Sequence, residues 1–306
     1  MKETPLFNPA LKWLILAMII LAFFAALTGI LPAEGTPYPL TNFRGEQVTI
    51  NARGLYYWDT VSSAAQMQAN DLVTLVLGLP LLAVSFWLTL RGSLRGRLLL
   101  AGTLGFILYT YVTMCFGAAY NALFLVYVAL FSLSLFAFVL VMMTFDLPTL
   151  PVHFSDKLPR GWIAGLLFFA AAFLSFAWLG RILPTLAWDS LSLWEPLQGA
   201  LQRGGVRGIP ALDNTTSMFI QAMDLGLIVP LCGLSGVLLL RRKPWGYLLA
   251  SVALMKFLTM GTAVSLMALN MARLGVPVSA VEVGVFPALA LANLLMVTLL
   301  LRNIKN

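Results

Sequence analysis

Apolar residues fall in eight long blocks separated by short polar, glycine or proline breaks: Trp13–Leu31, Leu72–Leu90, Leu98–Phe116, Ala122–Met143, Trp162–Leu183, Met218–Leu240, Tyr247–Leu269 and Val283–Leu301. A helix needs about 20 apolar residues to cross a hydrocarbon core of roughly 30 Å. Lipid offers no water to backbone amides and carbonyls, so each block is expected to be a transmembrane helix. The first block is expected to stay as a helix rather than be cleaved as a signal segment, because it has a counterpart later in the chain.

That counterpart belongs to a series. "LTGILP" ends the first block at Pro32 and "LGRILP" ends the fifth at Pro184. "ARGLYYWD" (52–59) and "VRGIPALD" (206–213) both read Arg-Gly, four residues, Asp. "QANDL" (68–72) is echoed by "QAMDL" (221–225), and basic turns follow at Arg91–Arg97 and Arg241–Gly246. Matches in one order at nearly constant offset point to duplication. The expected fold is therefore an all-α polytopic membrane protein with eight transmembrane helices. These form two tandem four-helix repeats, 12–145 and 161–301, joined by a proline-rich cytoplasmic linker at 146–160. Four spans per unit is an even number, so both repeats enter the membrane in the same, parallel orientation.

Two loops of about 30 residues connect the first and second, and the fifth and sixth, blocks. Both are expected to be ordered and extracytoplasmic. "EQVTINARGLYYW" alternates β-branched and polar residues, which predicts a short hairpin, and Tyr56–Tyr57–Trp58 suits the membrane interface. Asp59 and Asp213 are expected to cap the second and sixth helices.

Composition agrees with a lipid solvent. Of 306 residues, 60% are hydrophobic and 10% charged, against roughly 25% charged in a soluble domain. The +7 net charge is explained by placement rather than by nucleic acid. With the N-terminus inside, twelve lysines and arginines fall on the cytoplasmic side and six outside, with Lys256 inside a span. That bias places both termini in the cytoplasm of a plasma-membrane protein. Membrane lipids are then the expected surroundings. Cys115 and Cys232 form no metal or redox pattern, and no cofactor, phosphate-loop or nucleophile-elbow motif occurs.

Chemistry is therefore sought in polar residues that the blocks should not contain. Gln68 with Asp71, and Gln221 with Asp224, stand three apart and share a helix face. Counted at roughly 1.5 Å per residue from the cytoplasmic ends, Asp71, Arg181 and Glu282 lie about 28 Å up and Asp224 about 24 Å up. An Arg181–Asp224 pair, with Asp71 and Glu282 lining a shared outward vestibule, is the expected arrangement. Arg181 replaces Gly29 of the first "ILP" match. Lys256 lies near mid-bilayer, where an ammonium is costly and marks function by default. Thr259 and Thr262 extend its polar stripe, and Asn293 is its expected partner. Pro80, Pro230 and Pro287 interrupt helices and free carbonyls. The candidate binding residues are Asp71, Asp224, Arg181, Glu282, Lys256, Gln68 and Gln221. They suit a small molecule, ion or lipid bound or transported between the halves. A membrane enzyme acting on a lipid or quinone, and a non-catalytic assembly or sensing subunit, are the alternatives.

Overall fold

The computed structural model describes residues 9–43, 45–185 and 212–305. Among the described residues, eight helices are long and apolar enough to cross a membrane. They are α1 (Pro9–Ile30), α2 (Val61–Leu90), α3 (Leu94–Gly117), α4 (Phe124–Met142), α5 (Arg160–Ile182), α6 (Phe219–Leu240), α7 (Pro244–Arg273) and α8 (Ala280–Arg302). Every expected span is present. The largest difference is at α2, which begins at Val61 rather than Leu72. Its first turns are polar in sequence, yet Ala64, Ala65, Met67, Asn70 and Asp71 are buried against other helices. Hydropathy alone cannot see a polar residue that has found a partner inside the protein.

A two-stranded antiparallel hairpin, β1 (Tyr38–Thr41) with β2 (Gln47–Ile50), follows α1 in the first loop; β2 falls in the alternating stretch, whereas its partner β1 lies before it. The aromatic cluster behind it divides. Tyr56 is fully buried, whereas Tyr57 and Trp58 are exposed. The second loop lies, for residues 186–211, outside the described part.

Neither expected aspartate cap forms. Thr60 caps α2, its side chain accepting from the Ser63 amide, because Thr60 holds the extended backbone that a cap requires. Asp59, one residue earlier, instead accepts from the Ala119 amide at 3.0 Å and the Ser63 hydroxyl at 3.2 Å, tying the loop to the end of α3. The last residue before α6 is Met218, with no side-chain cap, and Asp213 has a left-handed φ of 51° well before the helix.

Both α2 and α6 carry one π-helical turn, Thr74–Gly78 and Asp224–Ile228, followed by Pro80 and Pro230. Leu79 donates back to the Thr74 carbonyl, and Val229 to that of Asp224. Proline would clash with the carbonyl four residues earlier. A wider turn just before it relieves that crowding, and such turns recur at functional sites.

The turns after these helices also correspond. Ser93 donates to Leu88 and Lys243 to Leu238, while Gly92 and Arg242 both have positive φ, 80° and 53°. Each of these positions is matched 150 residues on. Where α3 crosses α7, a Cβ on Gly102 would sit 2.2 Å from Met255 Cβ, so only glycine permits the approach. Gly105 faces Val252 at the same crossing.

At one end of the bundle, the α2–α3 turn, the linker and the C-terminus are stitched together. Phe154 and Ile304 form a β-bridge, and Arg95 donates to the Ile304 carbonyl at 2.6 Å. This is the basic end; the opposite end carries the hairpin. Much of the outer surface is apolar, including Trp13, Phe23, Phe176 and Leu291. An apolar surface of that extent needs lipid to cover it. The chain is an integral membrane protein by length and composition of its helices.

Candidate functional site

Among the described residues, two carboxylates are buried within the spans, one met by one aromatic donor and the other by two. Asp71, on α2, is 3% exposed and accepts at Oδ2 from the Tyr56 hydroxyl at 2.5 Å. Tyr56 is brought there by the loop behind the hairpin. Burial, and next the charge of Asp71, push the Tyr56 phenol well above its ordinary range, which keeps it a donor. Gly29 on α1 closes the other side. A Cβ there would fall 1.8 Å from Asp71 Oδ2 and 2.9 Å from the Tyr56 hydroxyl. Tyr111 of α3 and Tyr127 of α4 stack with centroids 6.2 Å apart and lie near the same carboxylate. The first "ILP" match thus carries glycine where a side chain would evict the aspartate.

Asp224, the first residue of the second π turn, is 7% exposed. Its Oδ1 accepts from the Tyr109 hydroxyl at 2.8 Å and its Oδ2 from the Trp178 indole at 2.9 Å. The Lys256 ammonium lies over the Tyr109 ring, 3.9 Å from its centroid, and 5.3 Å from that of Phe257. One tyrosine therefore serves two charges. Its hydroxyl edge binds the carboxylate, and its electron-rich face receives the ammonium, a contact worth about 2 kcal/mol when desolvated. Lysine and aspartate are linked through an aromatic ring instead of by a direct ion pair. Thr259 turns its hydroxyl to the Lys256 carbonyl at 2.9 Å. The centre draws on α3, α5, α6 and α7.

Tyr109 and Tyr111 both belong to α3 and stand two residues apart, which is about 200° around the helix. They face opposite flanks, so α3 separates the Asp71 centre from the Asp224 centre. In place of the expected common vestibule, the described residues put Asp71 and Asp224 in two buried centres with a helix between them. Arg181 does not meet Asp224: it is exposed, with its guanidinium 5.7 Å from the Trp178 ring. The indole occupies the place the arginine was expected to take. Asn293 does not reach Lys256. Its amide donates to the Leu289 carbonyl at 2.9 Å, and its Oδ1 is buried without a partner among the described residues. Gln68 and Gln221 are half-buried. Glu282 lies on α8, and its side chain is outside the described part.

The π turns give a common reference for the two aspartates: Asp71 lies three residues before one turn and Asp224 opens the other. Asp71 precedes Pro80 by nine residues and Asp224 precedes Pro230 by six. Three residues is close to one turn, so Asp224 is set one turn nearer the basic end.

Tyr109 and Trp178, which meet Asp224, were not singled out in the sequence, and Tyr56, expected at the membrane interface, is instead buried against Asp71. The available signal was "LYTYVTM", where two tyrosines on opposite faces of an apolar helix each need a polar partner. No protein-family model matches the chain, and comparison with curated proteins and with solved structures gives no match, so its activity is argued from these two centres.

Proposed function

We propose that the chain consists of two duplicated four-helix halves in parallel orientation, and that it binds or moves an ion or small molecule at the Asp224–Tyr109–Lys256 centre where the halves meet. The observation that carries this reading is the burial of a carboxylate and an ammonium on the same tyrosine within the membrane-spanning region. Charges held at that depth are costly, and protein chains keep them mainly along ion and substrate paths.

Duplication is supported by the matched turns 150 residues apart and by the α3–α7 crossing. Gly102 faces Met255, and Gly105 faces Val252. Shifted by 150, each pair becomes the other, as an axis between equivalent helices requires. The basic end is assigned to the cytoplasm by the excess of lysine and arginine, with both termini there and the hairpin outside. Asp224 then supplies a carboxylate for a cation or proton. Lys256 supplies a compensating charge that shifts along the Tyr109 face as the carboxylate is neutralised or occupied. The π turn and Pro230 give α6 a point at which to bend.

Proteoliposomes on a solid-supported membrane test the reading through currents evoked by steps in pH, Na⁺ or K⁺. A transient current is expected for at least one of these in the wild type. It should vanish in both Asp224→Asn and Lys256→Met, with helicity and thermal unfolding preserved. A wild type silent to all three steps, or currents unchanged in both variants, would overturn it.

A further inference from the structure

At the basic end Arg95 donates to Ile304, Arg97 to Thr144 and Arg160 to Tyr247, while Arg241, Arg242 and Arg302 are exposed. At the hairpin end the described arginines are Arg53, Arg181 and Arg273, and two of them, Arg53 and Arg273, line one cleft of about 570 Å³. The cleft lies between the last turns of α1 and α7, with α2 along its side. Its lining includes Leu72, Leu266 and Leu269 as apolar wall and Gln68 and Asn270 as neutral polar groups; among the described residues no carboxylate lines it.

Neither arginine is consumed by the fold. The Arg53 Nε donates to the Gly35 carbonyl at 2.8 Å, which leaves both terminal nitrogens. Arg273 has no hydrogen-bond or ion-pair partner among the described residues. A lone arginine in the last turn of α7 is explained by the helix dipole. Dipole complementation gives no reason for a second guanidinium, from a distant loop, to share the same cleft. Two guanidiniums with no described carboxylate beside them fit a phosphate, which arginine binds through paired donors. Leu72 and Leu269 remain exposed beside them, which fits an acyl chain rather than water.

We propose that this cleft binds the headgroup of an anionic glycerophospholipid. The phosphate lies between Arg53 and Arg273, the glycerol faces Gln68 and Asn270, and an acyl chain follows Leu72, Leu266 and Leu269. The site is separate from the Asp224–Lys256 centre and does not depend on the activity proposed for it.

Delipidated protein in detergent is titrated with phosphatidylglycerol, phosphatidylcholine or soluble glycerol 3-phosphate. Binding is followed by native mass spectrometry and thermal unfolding. Phosphatidylglycerol is expected to bind at a defined stoichiometry and raise the unfolding temperature, with phosphatidylcholine weaker. Arg273→Gln should weaken it about fivefold, and Arg53→Gln with Arg273→Gln about 25-fold, at about one such factor per basic residue. Because Arg53 also braces its loop, Leu269→Glu provides a second probe that leaves that brace intact; it should weaken phosphatidylglycerol more than phosphatidylcholine. Phosphatidylglycerol binding unchanged in Arg273→Gln and Leu269→Glu overturns the site. Full stabilisation by glycerol 3-phosphate alone overturns the lipid and identifies a water-soluble anion.

Discussion

Asp71 and Asp224 occupy matching segments of the chain, yet they are buried in different ways. Asp71 has a single hydrogen-bond donor among the described residues, the Tyr56 hydroxyl, and is walled in by Gly29 with no described cation beside it. Asp224 has two donors on two other helices and a lysine on the far face of one of them. The first arrangement is a closed lock between the loop, α1 and α2. The second is a junction of four helices in which charge is balanced through a ring, without a fixed ion pair. A cation–π contact is less directional than a bidentate ion pair, so the lysine keeps freedom to move. The comparison teaches that a shared pentapeptide at the start of a span does not imply a shared role. What surrounds the carboxylate decides whether it fastens the fold or stays available.

The sharpest way to break the comparison is a methyl group at Gly29. Gly29→Ala forces Asp71 away from Tyr56 and is expected to cost about 3 kcal/mol or more, through overpacking and an orphaned buried carboxylate. Gly180→Ala, on a glycine of α5 with nothing within 4 Å, should lie within about 1 kcal/mol of the wild type and serves as the control. Unfolding in mild detergent measures both; equal effects would remove Gly29 from the lock.

A third carboxylate at the rim sharpens the contrast between buried and balanced charge. Burial pushes the Asp59 carboxyl up to about 6, against the opposing hydrogen bonds from Ala119 and Ser63. Its folded value lies above the unfolded one, so its contribution to stability is full below about pH 4 and is lost as pH rises through about 6. The shift sets an upper bound of about 3 kcal/mol on the change. Stability followed from pH 4 to 7 should fall in the wild type and flatten in Asp59→Asn; an unchanged slope in the variant would move the effect elsewhere.

The smallest effects separate the two centres directly. Tyr56→Phe strips Asp71 of its donor and should cost about 2 kcal/mol. Tyr109→Phe leaves Asp224 bound to Trp178 and leaves the ring under Lys256, so about 1 kcal/mol is expected. A larger loss at Tyr109 than at Tyr56 would reverse the assignment of lock and junction.

Solvent preference accounts for the parts of the fold that local composition decided. Transfer of an apolar block into lipid is a sum over its own residues, so the eight spans could be read from the chain without knowing what they touch. Strand β2 followed from alternation over a few neighbouring residues in the same way, though its partner β1 did not. Aromatic donors to the carboxylates were of another kind. Tyr109 lies 115 residues from Asp224, and Trp178 lies 46 residues from it. Arg181, three residues beyond Trp178, was the more obvious partner by charge, but α5 turns the indole inward and the arginine out. Which face of a helix meets which neighbour depends on side-chain packing across the whole bundle, where close approaches such as Gly102 against Met255 set the rotation of each helix. Composition decides that a segment enters the membrane, whereas only the assembled bundle decides which buried charge meets which donor.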